Sequence, residues 1–454
     1  MTKRLVVVGG DAGGMSAAAQ VRRLTDPGDL EVVAFERGDF TSYAACGLPY
    51  RIAREVASVD DLVARSPEEF RRSGIDVRTR HEVVSIDTGA RTVQVLDLDR
   101  DEVTTERYDE LLIATGASPL RPPLPGIDSP GVFDLRTIPD VVALDAALDG
   151  ASTAVVVGAG YIGLEVAEAF VARGLAVSIV EAADQPMTTL DPDMAELVRA
   201  SLERLGVELH LGSPVRSFLA GADGSVSAVV TDQREHAADV VVVGLGARPN
   251  TALARAGGIP VGDSGGILVD RRQRTQVEHV WAAGDCVESF HRVSRRGVSI
   301  ALGTHANKQG RVAGTNLGGG YATFGGVIGT AITRVGDVEV ARTGLTEAEA
   351  TAAGFEHVST TTASAVRAHY YQGSGRISVK LVAERGTGRL LGGQIVGSEG
   401  AGKRIDVLAM AVWSELTVGE LGGVDLAYAP PFSPVWDPVL LAAGRTAAAV
   451  DAAL

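Results

Sequence analysis

Two stretches of this chain repeat one pattern: a buried strand, a glycine-rich turn, a helix, and a second strand that ends in an acid. In the first copy the turn is GGDAGG at residues 9–14, and the acid is Glu36. In the second copy the turn is GAGYIG at residues 158–163, and the acid is Glu181. Each copy therefore predicts a βαβ unit, and the chain should contain two doubly wound parallel sheets.

The residue types in these units suit dinucleotides. Glycines let the backbone approach a pyrophosphate at a helix N-terminus, and the acid accepts hydrogen bonds from ribose hydroxyls. The second turn is a complete GxGxxG, whereas Asp11 takes the middle glycine position of the first. An ordinary βα turn is the alternative for either loop, but two copies in one chain favour two dinucleotide sites.

Composition restricts the remaining choices. The 454 residues predict about three domains of roughly 150 residues each. A net charge of −15 argues against nucleic acid or an anionic membrane as the main partner. The presence of only two cysteines argues against a disulfide framework, and the first apolar run is too short for a signal peptide. We therefore expect a cytoplasmic protein without a membrane-spanning segment.

The chain changes character from about Phe324. Strand patterns at residues 329–340, 377–382 and 390–396 accompany a helix pattern at residues 403–415, and no glycine-rich nucleotide turn is present there. This region predicts a separate α+β domain, a type that commonly serves as an interface module.

Cys46 lies in SYAACGLPY at residues 42–50, directly after the acid of the first unit. Most free cysteines are small core residues, but a cysteine beside a dinucleotide site favours redox chemistry. Nearby amides and a helix dipole should lower its pKa, and Ser42 could donate a hydrogen bond. Because no CxxxxC pair exists, Cys46 should form a mixed disulfide with a small thiol or a sulfenic acid. We interpret Cys286 as structural.

Further motifs resemble the pyridine nucleotide-disulfide oxidoreductase family along nearly the whole chain. They are ATG at residues 114–116, GLGARPN at 244–250 and WAAGD at 281–285. The resemblance implies FAD and a nicotinamide nucleotide as cofactors, with Asp285 on the FAD ribityl chain. It implies a helix N-terminus near residues 301–310 facing the isoalloxazine, and a homodimer that completes each active site. No metal site is expected.

The fold expected from this resemblance has two Rossmann-like domains and an α+β dimerisation domain. We expect a discontinuous FAD-binding domain at 1–147 and 247–323, an NAD(P)H-binding domain at 148–246, and a dimerisation domain at 324–454. The predicted cofactor-binding residues are Gly9, Gly14, Glu36, Arg37, Thr115, Gly116, Gly158, Gly160, Gly163, Glu181, Gly246 and Asp285.

The motif around Cys46 resembles the single-cysteine branch of the family: coenzyme A-disulfide reductases, persulfide reductases, and NADH oxidases and peroxidases. Ala12 stands where the peroxidase and oxidase types carry a histidine, which disfavours them. The segments HYY at 369–371 and AYAPPFS at 427–433 resemble coenzyme A-disulfide reductases. This implies that Tyr370 and Tyr428 reach the cysteine of the other subunit and assist as catalytic residues with Cys46 and Ser42.

Two departures from that branch concern the substrate. Ala45 replaces the usual asparagine before the cysteine, and Gln372 replaces the usual proline after the tyrosine pair. Arginines suit the phosphates of coenzyme A, and the candidate substrate-binding residues are Arg22, Arg23, Arg65 and Arg71. A solvated helix face is the alternative interpretation of these arginines.

The predicted function is reduction of a small disulfide or persulfide, such as coenzyme A disulfide, by FAD and Cys46. NADH should be preferred over NADPH, since Glu181 would repel a 2′-phosphate and the next residues are Ala182 and Ala183. Coenzyme A is expected as substrate or bound thiol. An NADH oxidase is the first alternative, a ferredoxin-type electron transferase the second, and a redox-sensing binding protein the third.

Overall fold

The computed structural model describes residues 2–453 and begins with the first predicted βαβ unit. Two short 3₁₀ turns, Ala45–Gly47 and Asp60–Leu62, interrupt this part of the chain. Its elements are β1 (Lys3–Val8), α1 (Ala12–Leu24), β2 (Leu30–Phe35), α2 (Leu48–Ile52), α3 (Pro67–Arg72), β3 (Asp76–Arg78), β4 (His81–Asp87), β5 (Thr92–Asp97), β6 (Glu102–Arg107), β7 (Glu110–Ile113) and β8 (Ala117–Pro119).

The second βαβ unit occupies the middle of the chain. Its elements, with a short connecting strand at the end, are β9 (Val132–Phe133), α4 (Ile138–Ala147), β10 (Thr153–Val157), α5 (Tyr161–Ala172), β11 (Ala176–Val180), α6 (Pro192–Arg204), β12 (Glu208–His210), β13 (Val215–Ala220), β14 (Val226–Thr231), β15 (Glu235–Ala237), β16 (Val240–Val243) and β17 (Ala247–Pro249).

The chain then returns to the first unit before it enters the C-terminal region. The returning elements are α7 (Ala252–Ala256), β18 (Val280–Ala282), β19 (Ser289–Phe290), β20 (Gly297–Val298) and α8 (Gly303–Leu317). The C-terminal elements are β21 (Ala331–Val335), β22 (Val338–Gly344), α9 (Glu347–Ala352), β23 (His357–Ala365), β24 (Arg376–Glu384), β25 (Leu390–Gly397), α10 (Ile405–Trp413), α11 (Val418–Gly422) and α12 (Pro438–Ala452).

Two parallel sheets form the nucleotide-binding part, as predicted. The first has the strand order β18-β7-β1-β2-β3, and the second has the order β12-β11-β10-β16-β9. Residues 5–8 of β1 and 154–157 of β10 are all buried and aliphatic, because helices cover both faces of a parallel sheet. Sequence reasoning therefore identified the fold class correctly.

Sheet membership bears on the expected domain boundaries. Strand β18 pairs with β7, so residues on both sides of the second unit build the first sheet. Strand β9 pairs with β16, so the second sheet also includes residues before position 148. The boundaries at 147/148 and 246/247 stay a proposal.

The C-terminal region is one antiparallel sheet of order β21-β22-β25-β24-β23 with helices packed against it. The predicted single strand at residues 329–340 is instead a hairpin of β21 and β22. Gly336 adopts a left-handed conformation, φ 58°, which allows the chain to reverse there. The predicted helix at 403–415 is confirmed as a 3₁₀ turn, Gly402–Arg404, followed by α10.

Membrane insertion through a helix finds no support in the described chain. None of the helices between residues 2 and 453 combines the length and apolar character needed to cross a bilayer.

Candidate active site

In both βαβ units, the acid at the end of the second strand accepts hydrogen bonds from backbone N–H groups of the glycine-rich turn and of the residues that follow the acid. Glu36 accepts hydrogen bonds from the backbone N–H groups of Gly10 and Gly38, both at 2.7 Å. Glu181 accepts from Ala159 N–H at 2.7 Å and from Ala183 N–H at 2.9 Å. Each acid thus holds its own turn at the carboxyl end of a parallel sheet, where such folds bind nucleotides.

The last glycine of each turn permits close contact between helix and strand. A Cβ atom on Gly14 would lie 2.0 Å from the Gly9 carbonyl oxygen, and one on Gly163 would lie 2.0 Å from the Gly158 carbonyl oxygen. Any larger side chain would push the helix away from the turn. The N-termini of α1 and α5 are thereby fixed against the positions where the backbone can contact a pyrophosphate.

Other predicted cofactor residues lie around these turns. Thr115 and Asn250 are joined by two hydrogen bonds, of 2.6 and 2.9 Å, beside Gly116. Gly246 has a φ of 96°, and its carbonyl accepts from Leu120 N–H at 2.9 Å. Gly160 is the residue before α5, and Arg37 is exposed.

Asp285 provides a test of whether the site suits FAD. Its Oδ2 atom accepts a hydrogen bond from the guanidinium of Arg136 at 2.9 Å. Its Oδ1 atom is buried and has no hydrogen-bond partner within residues 2–453. A buried carboxylate oxygen with an unused acceptor position fits a hydroxyl donor such as the ribityl chain, so the residues present suit the cofactor.

Asp11 stands at the start of α1 without a side-chain cap bond. Burial raises the pKa of its carboxyl to about 6; the charge of Glu36 adds to the rise, and Arg136 opposes it. The departure from GxGxxG thus places a carboxyl that can be protonated near neutral pH beside the first turn.

Cys46 lies in the 3₁₀ turn before α2 and is exposed. The expectation of a lowered pKa was wrong. Burial among surrounding protein atoms raises the pKa of the thiol, Glu165 raises it further, and the guanidinium of Arg136 opposes them. The reason is local: α2 has only five residues, and the carboxylates around the thiol outnumber the cations.

Arg136 and Glu165 are functional candidates that sequence reasoning missed. Glu165 accepts a hydrogen bond from Thr333 Oγ1 at 2.8 Å, and burial raises its pKa. An acid within the mostly apolar α5 could have indicated Glu165. No local pattern marks Arg136, since its partner Asp285 is 149 positions away.

A cavity of about 310 Å³ lies beside the Cys46 loop. The structure brings three predicted residues together there: Ser42, Arg23 and Arg65. Sequence reasoning missed three more polar residues on its wall, Ser16 of α1 and Asn307 and Arg311 of α8, which look like ordinary residues of a solvated helix. Three arginines in a chain of net charge −15 make this cavity a local basic site.

The other two predicted arginines do not line this cavity. Arg22 donates hydrogen bonds to Thr25 and to the Leu30 carbonyl, and Arg71 pairs with Glu68 at 2.8 Å. Both guanidinium groups thus bind partners close to them in the sequence and not the cavity. Helix periodicity alone could not separate Arg22 from its neighbour Arg23.

Tyr370 and Tyr428 are brought together on the C-terminal unit. Their hydroxyl oxygens are 3.5 Å apart, and the side chains are 65% and 46% exposed. Within residues 2–453 no hydrogen bond links either hydroxyl to Cys46. Phe432 and Trp436 are also strongly exposed, so the tyrosines sit in an apolar surface.

Cys286 differs from Cys46 in its burial. It is fully buried, and its sulfur lies 3.4 Å from the Ala283 carbonyl oxygen and 3.6 Å from that of Ile113. Burial raises the pKa of the thiol to about 11. These features suit a structural residue.

Comparison with known proteins identifies both halves of the architecture. The model described as pyridine nucleotide-disulphide oxidoreductase matches residues 3–313. The model of the dimerisation domain of the same group matches residues 330–438.

Similar proteins span the chain nearly end to end. The NAD(P)H sulfur oxidoreductase (CoA-dependent) of Pyrococcus abyssi (strain GE5 / Orsay) is 38% identical, over 97% of each chain. A protein named NADH oxidase from Methanocaldococcus jannaschii is 35% identical, over 97% of this chain and 98% of its own. The crystal structure of reduced Bacillus anthracis CoADR-RHD superimposes with a TM-score of 0.95 at 32% identity, covering 100% of this chain and 81% of that one.

Proposed function

The chain belongs to the pyridine nucleotide-disulphide oxidoreductase family, and on that premise we propose that it reduces a small disulfide through Cys46 with electrons from NAD(P)H. The substrate is coenzyme A disulfide or a related coenzyme A persulfide. The observation that carries this proposal is the basic cavity next to the Cys46 loop. FAD and a nicotinamide nucleotide are the cofactors of the family.

The cavity supports a thiol substrate that carries phosphates. Arg23, Arg65 and Arg311 line it together with Ser42, only four residues before Cys46. Guanidinium groups bind phosphate oxygens through paired hydrogen bonds, and the volume is in the range of small-molecule sites. A substrate whose phosphates occupy the arginines would place its sulfur toward Cys46.

Cys46 performs the exchange chemistry in this proposal. Its thiolate attacks one sulfur of the disulfide, a mixed disulfide forms, and the second thiol leaves after it takes up a proton. FAD, when bound, would supply the two electrons that originate from the nicotinamide nucleotide. With these electrons the S–S bond of the mixed disulfide breaks, the other thiol is released, and the Cys46 thiolate is regenerated. Each disulfide thus consumes two electrons and two protons and yields two thiols.

Glu165 and Arg136 set the protonation of Cys46 in opposite directions. Glu165 raises the pKa of the thiol and Arg136 lowers it. The Glu165 carboxyl, whose own pKa is raised by burial, can hold the proton that the thiol gives up.

The tyrosine pair completes the site from the other subunit in this proposal. The C-terminal unit matches a dimerisation domain, and Tyr370 and Tyr428 lie in its exposed apolar surface. In the proposed dimer a second copy covers that surface, and the phenols then lie next to the mixed disulfide on Cys46 of that copy. There a phenol O–H could donate a hydrogen bond to the leaving thiolate.

NADH is the proposed reductant. The Glu181 carboxylate is braced by two backbone amides and would repel a 2′-phosphate. Replacing Glu181 with alanine should lower the ratio of kcat/KM for NADH to that for NADPH by about tenfold or more, because the carboxylate no longer repels the 2′-phosphate of NADPH. An unchanged ratio would remove Glu181 from the specificity argument.

The decisive experiment combines a cysteine variant with cavity variants. Cys46→Ser should keep its FAD and its reduction by NADH but lose reduction of coenzyme A disulfide. Arg23→Gln and Arg65→Gln should each raise KM for coenzyme A disulfide about tenfold, the usual scale of a lost phosphate contact. Arg71→Gln is the matched control, because Arg71 pairs with Glu68 outside the cavity.

A phosphate-free aromatic disulfide separates the two claims. Its KM should not change in the arginine variants, since they act only on phosphates. If Cys46→Ser retains disulfide reduction, the thiol mechanism is refuted. If Arg71→Gln raises KM as much as Arg23→Gln does, the cavity is not the substrate site.

An oxygen-reducing function is the second candidate, since one relative is named NADH oxidase. Ala12 argues against it, because the oxidase and peroxidase types of the single-cysteine branch carry a histidine at that position. Oxygen consumption with NADH that exceeds disulfide reduction, and that survives in Cys46→Ser, would favour the oxidase.

A further inference from the structure

Lys380 is a buried cation far along the chain from both glycine-rich turns. It lies on β24 of the C-terminal sheet and is only 5% exposed. Its ammonium is 2.7 Å from Asp193 Oδ1, 3.3 Å from Glu347 Oε1 and 3.4 Å from Asp191 Oδ2. Two of these carboxylates belong to the nucleotide-binding part, at the start of α6, so the cluster joins the two parts of the molecule.

Asp191 is the most enclosed member of this cluster, at 3% exposure. Its backbone N–H donates to Gln394 Oε1 at 2.7 Å, and its Oδ2 accepts from Gln394 Nε2 at 2.6 Å. Its Oδ1 accepts from the backbone N–H of Glu347 at 3.1 Å. A carboxylate that is this buried requires its cation and its donors, because water cannot replace them.

A row of side chains across the C-terminal sheet supplies these partners. Arg342 on β22, Gln394 on β25 and Lys380 on β24 are direct cross-strand neighbours. Arg342 donates to the Thr189 carbonyl oxygen at 2.8 Å. The row Arg342–Gln394–Lys380 therefore binds the segment 189–193 at three successive points, which are Thr189, Asp191 and Asp193.

The residues just before this segment contact the second glycine-rich turn. The backbone N–H of Met187 donates to the Ala159 carbonyl oxygen at 2.9 Å, and Leu190 N–H donates to the Met187 carbonyl at 2.8 Å. Met187 is buried and has a φ of 47°, a conformation that non-glycine residues adopt only when their surroundings impose it. The other side of Ala159 is bound to Glu181.

We infer that the row Arg342–Gln394–Lys380 positions the turn at residues 158–163 for the nicotinamide nucleotide, acting through residues 187–191. These are positioning residues, since none of them reaches the turn itself. Affinity for the nucleotide thus depends on a sheet of the dimerisation domain. The inference rests on the proposed function only in that the nucleotide binds at this turn.

Lys380→Met tests the inference, because it removes the charge and keeps most of the side-chain volume. The assay is anaerobic rapid mixing of the FAD-containing enzyme with increasing NADH, which yields an apparent Kd and a limiting rate of flavin reduction. We expect Kd to rise about tenfold while the limiting rate changes less than about threefold, since a displaced turn weakens binding more than hydride transfer. FAD content and dimer mass should stay those of the wild type.

Three further variants sharpen the result. Arg385→Met is the control: Arg385 follows β24 directly, is exposed, and pairs with Glu356 on the surface, so its Kd should be unchanged. Lys380→Arg retains the charge and should recover most of the affinity. Gln394→Met removes both bonds to Asp191 without a change in charge, and it decides the matter if Lys380→Met does not fold.

The possible outcomes separate the inference from the proposed function. If the wild-type flavin is not reduced by NADH or NADPH, the proposed function fails. If the wild type is reduced and Lys380→Met and Gln394→Met lower only the melting temperature, with Kd unchanged, the row is structural and the inference is wrong. A lower limiting rate at unchanged Kd would overturn it as well.

Discussion

His236 offers a measurable link between burial and acid stability. It lies on β15, opposite Val229 of β14, and is 4% exposed. Neither ring nitrogen has a hydrogen-bond partner within the described chain, and the ring centroid is 4.5 Å from that of His210. Burial, followed by the neighbouring His210 and Arg234, lowers the pKa of His236 to about 4, and Glu208 opposes this change.

The size and sign of the effect follow from this pKa. His236 is neutral in the folded protein, whereas an unfolded histidine titrates near 6.5, so unfolding takes up a proton below that pH. Its stability contribution is complete above about pH 6.5 and is lost as the pH falls toward 4. The loss amounts to about 2 kcal/mol at pH 5 and about 3 kcal/mol at pH 4.

His236→Leu should remove this loss. Because neither ring nitrogen forms a hydrogen bond, an apolar side chain of similar volume breaks none. Urea unfolding of the variant and the wild type at pH 7.5 and pH 5 gives the difference in free energy of unfolding at each pH. The variant should gain about 2 kcal/mol on the wild type between these two pH values.

The control is His357→Leu, in the separate C-terminal sheet, which should show no such gain. Hydrogen exchange of the amides of β14 should locate the effect, since they pair with β15. If the wild type and His236→Leu lose stability in parallel from pH 7.5 to pH 5, the buried histidine is not the cause and the reasoning is wrong.

Three other outcomes are expected. Gly14→Ala should abolish FAD retention, because its Cβ would lie 2.0 Å from the Gly9 carbonyl oxygen; flavin absorbance per chain measures this. Asp11→Asn should stabilise the flavin-free protein above pH 7 by up to about 3 kcal/mol, measured by urea unfolding, and should have no such effect at pH 4. The reason is that the raised carboxyl pKa favours the folded protein while Asp11 is protonated, and this stability is lost as the pH rises through about 6. Alkylation of Cys46 by iodoacetamide should reach its half-maximal rate at a higher pH than alkylation of an unperturbed cysteine, because burial and Glu165 raise the thiol pKa, and Glu165→Gln should shift that pH downward.

The sequence was most informative where function depends on neighbours along the chain. The glycine turns, Glu36 and Glu181 are defined within about 25 residues, and the structure has them in the predicted βαβ units. The basic cavity was only partly foreseen, because Arg311 reaches it from a helix almost 300 residues after Arg23. Helical spacing cannot show which of two adjacent arginines faces such a cavity.

Electrostatics was the least predictable property. The pKa of Cys46 depends on Glu165, Arg136 and Asp285, which come from three distant parts of the chain. A short motif shows the amides and the helix that follow a cysteine, but not the carboxylates that the fold collects around it. The same holds for Lys380 and Asp191, a buried pair separated by almost 200 residues.

The strand order of the first sheet also sets an order of events during translation. Its edge strand β18 ends at Ala282, whereas the second sheet needs nothing beyond Val243. While the ribosome adds residues 244–282, the second sheet already has all its strands, but the first sheet still lacks β18 beside β7. The nascent chain can therefore assemble the second sheet first, and the first sheet can close only after β18 has left the exit tunnel.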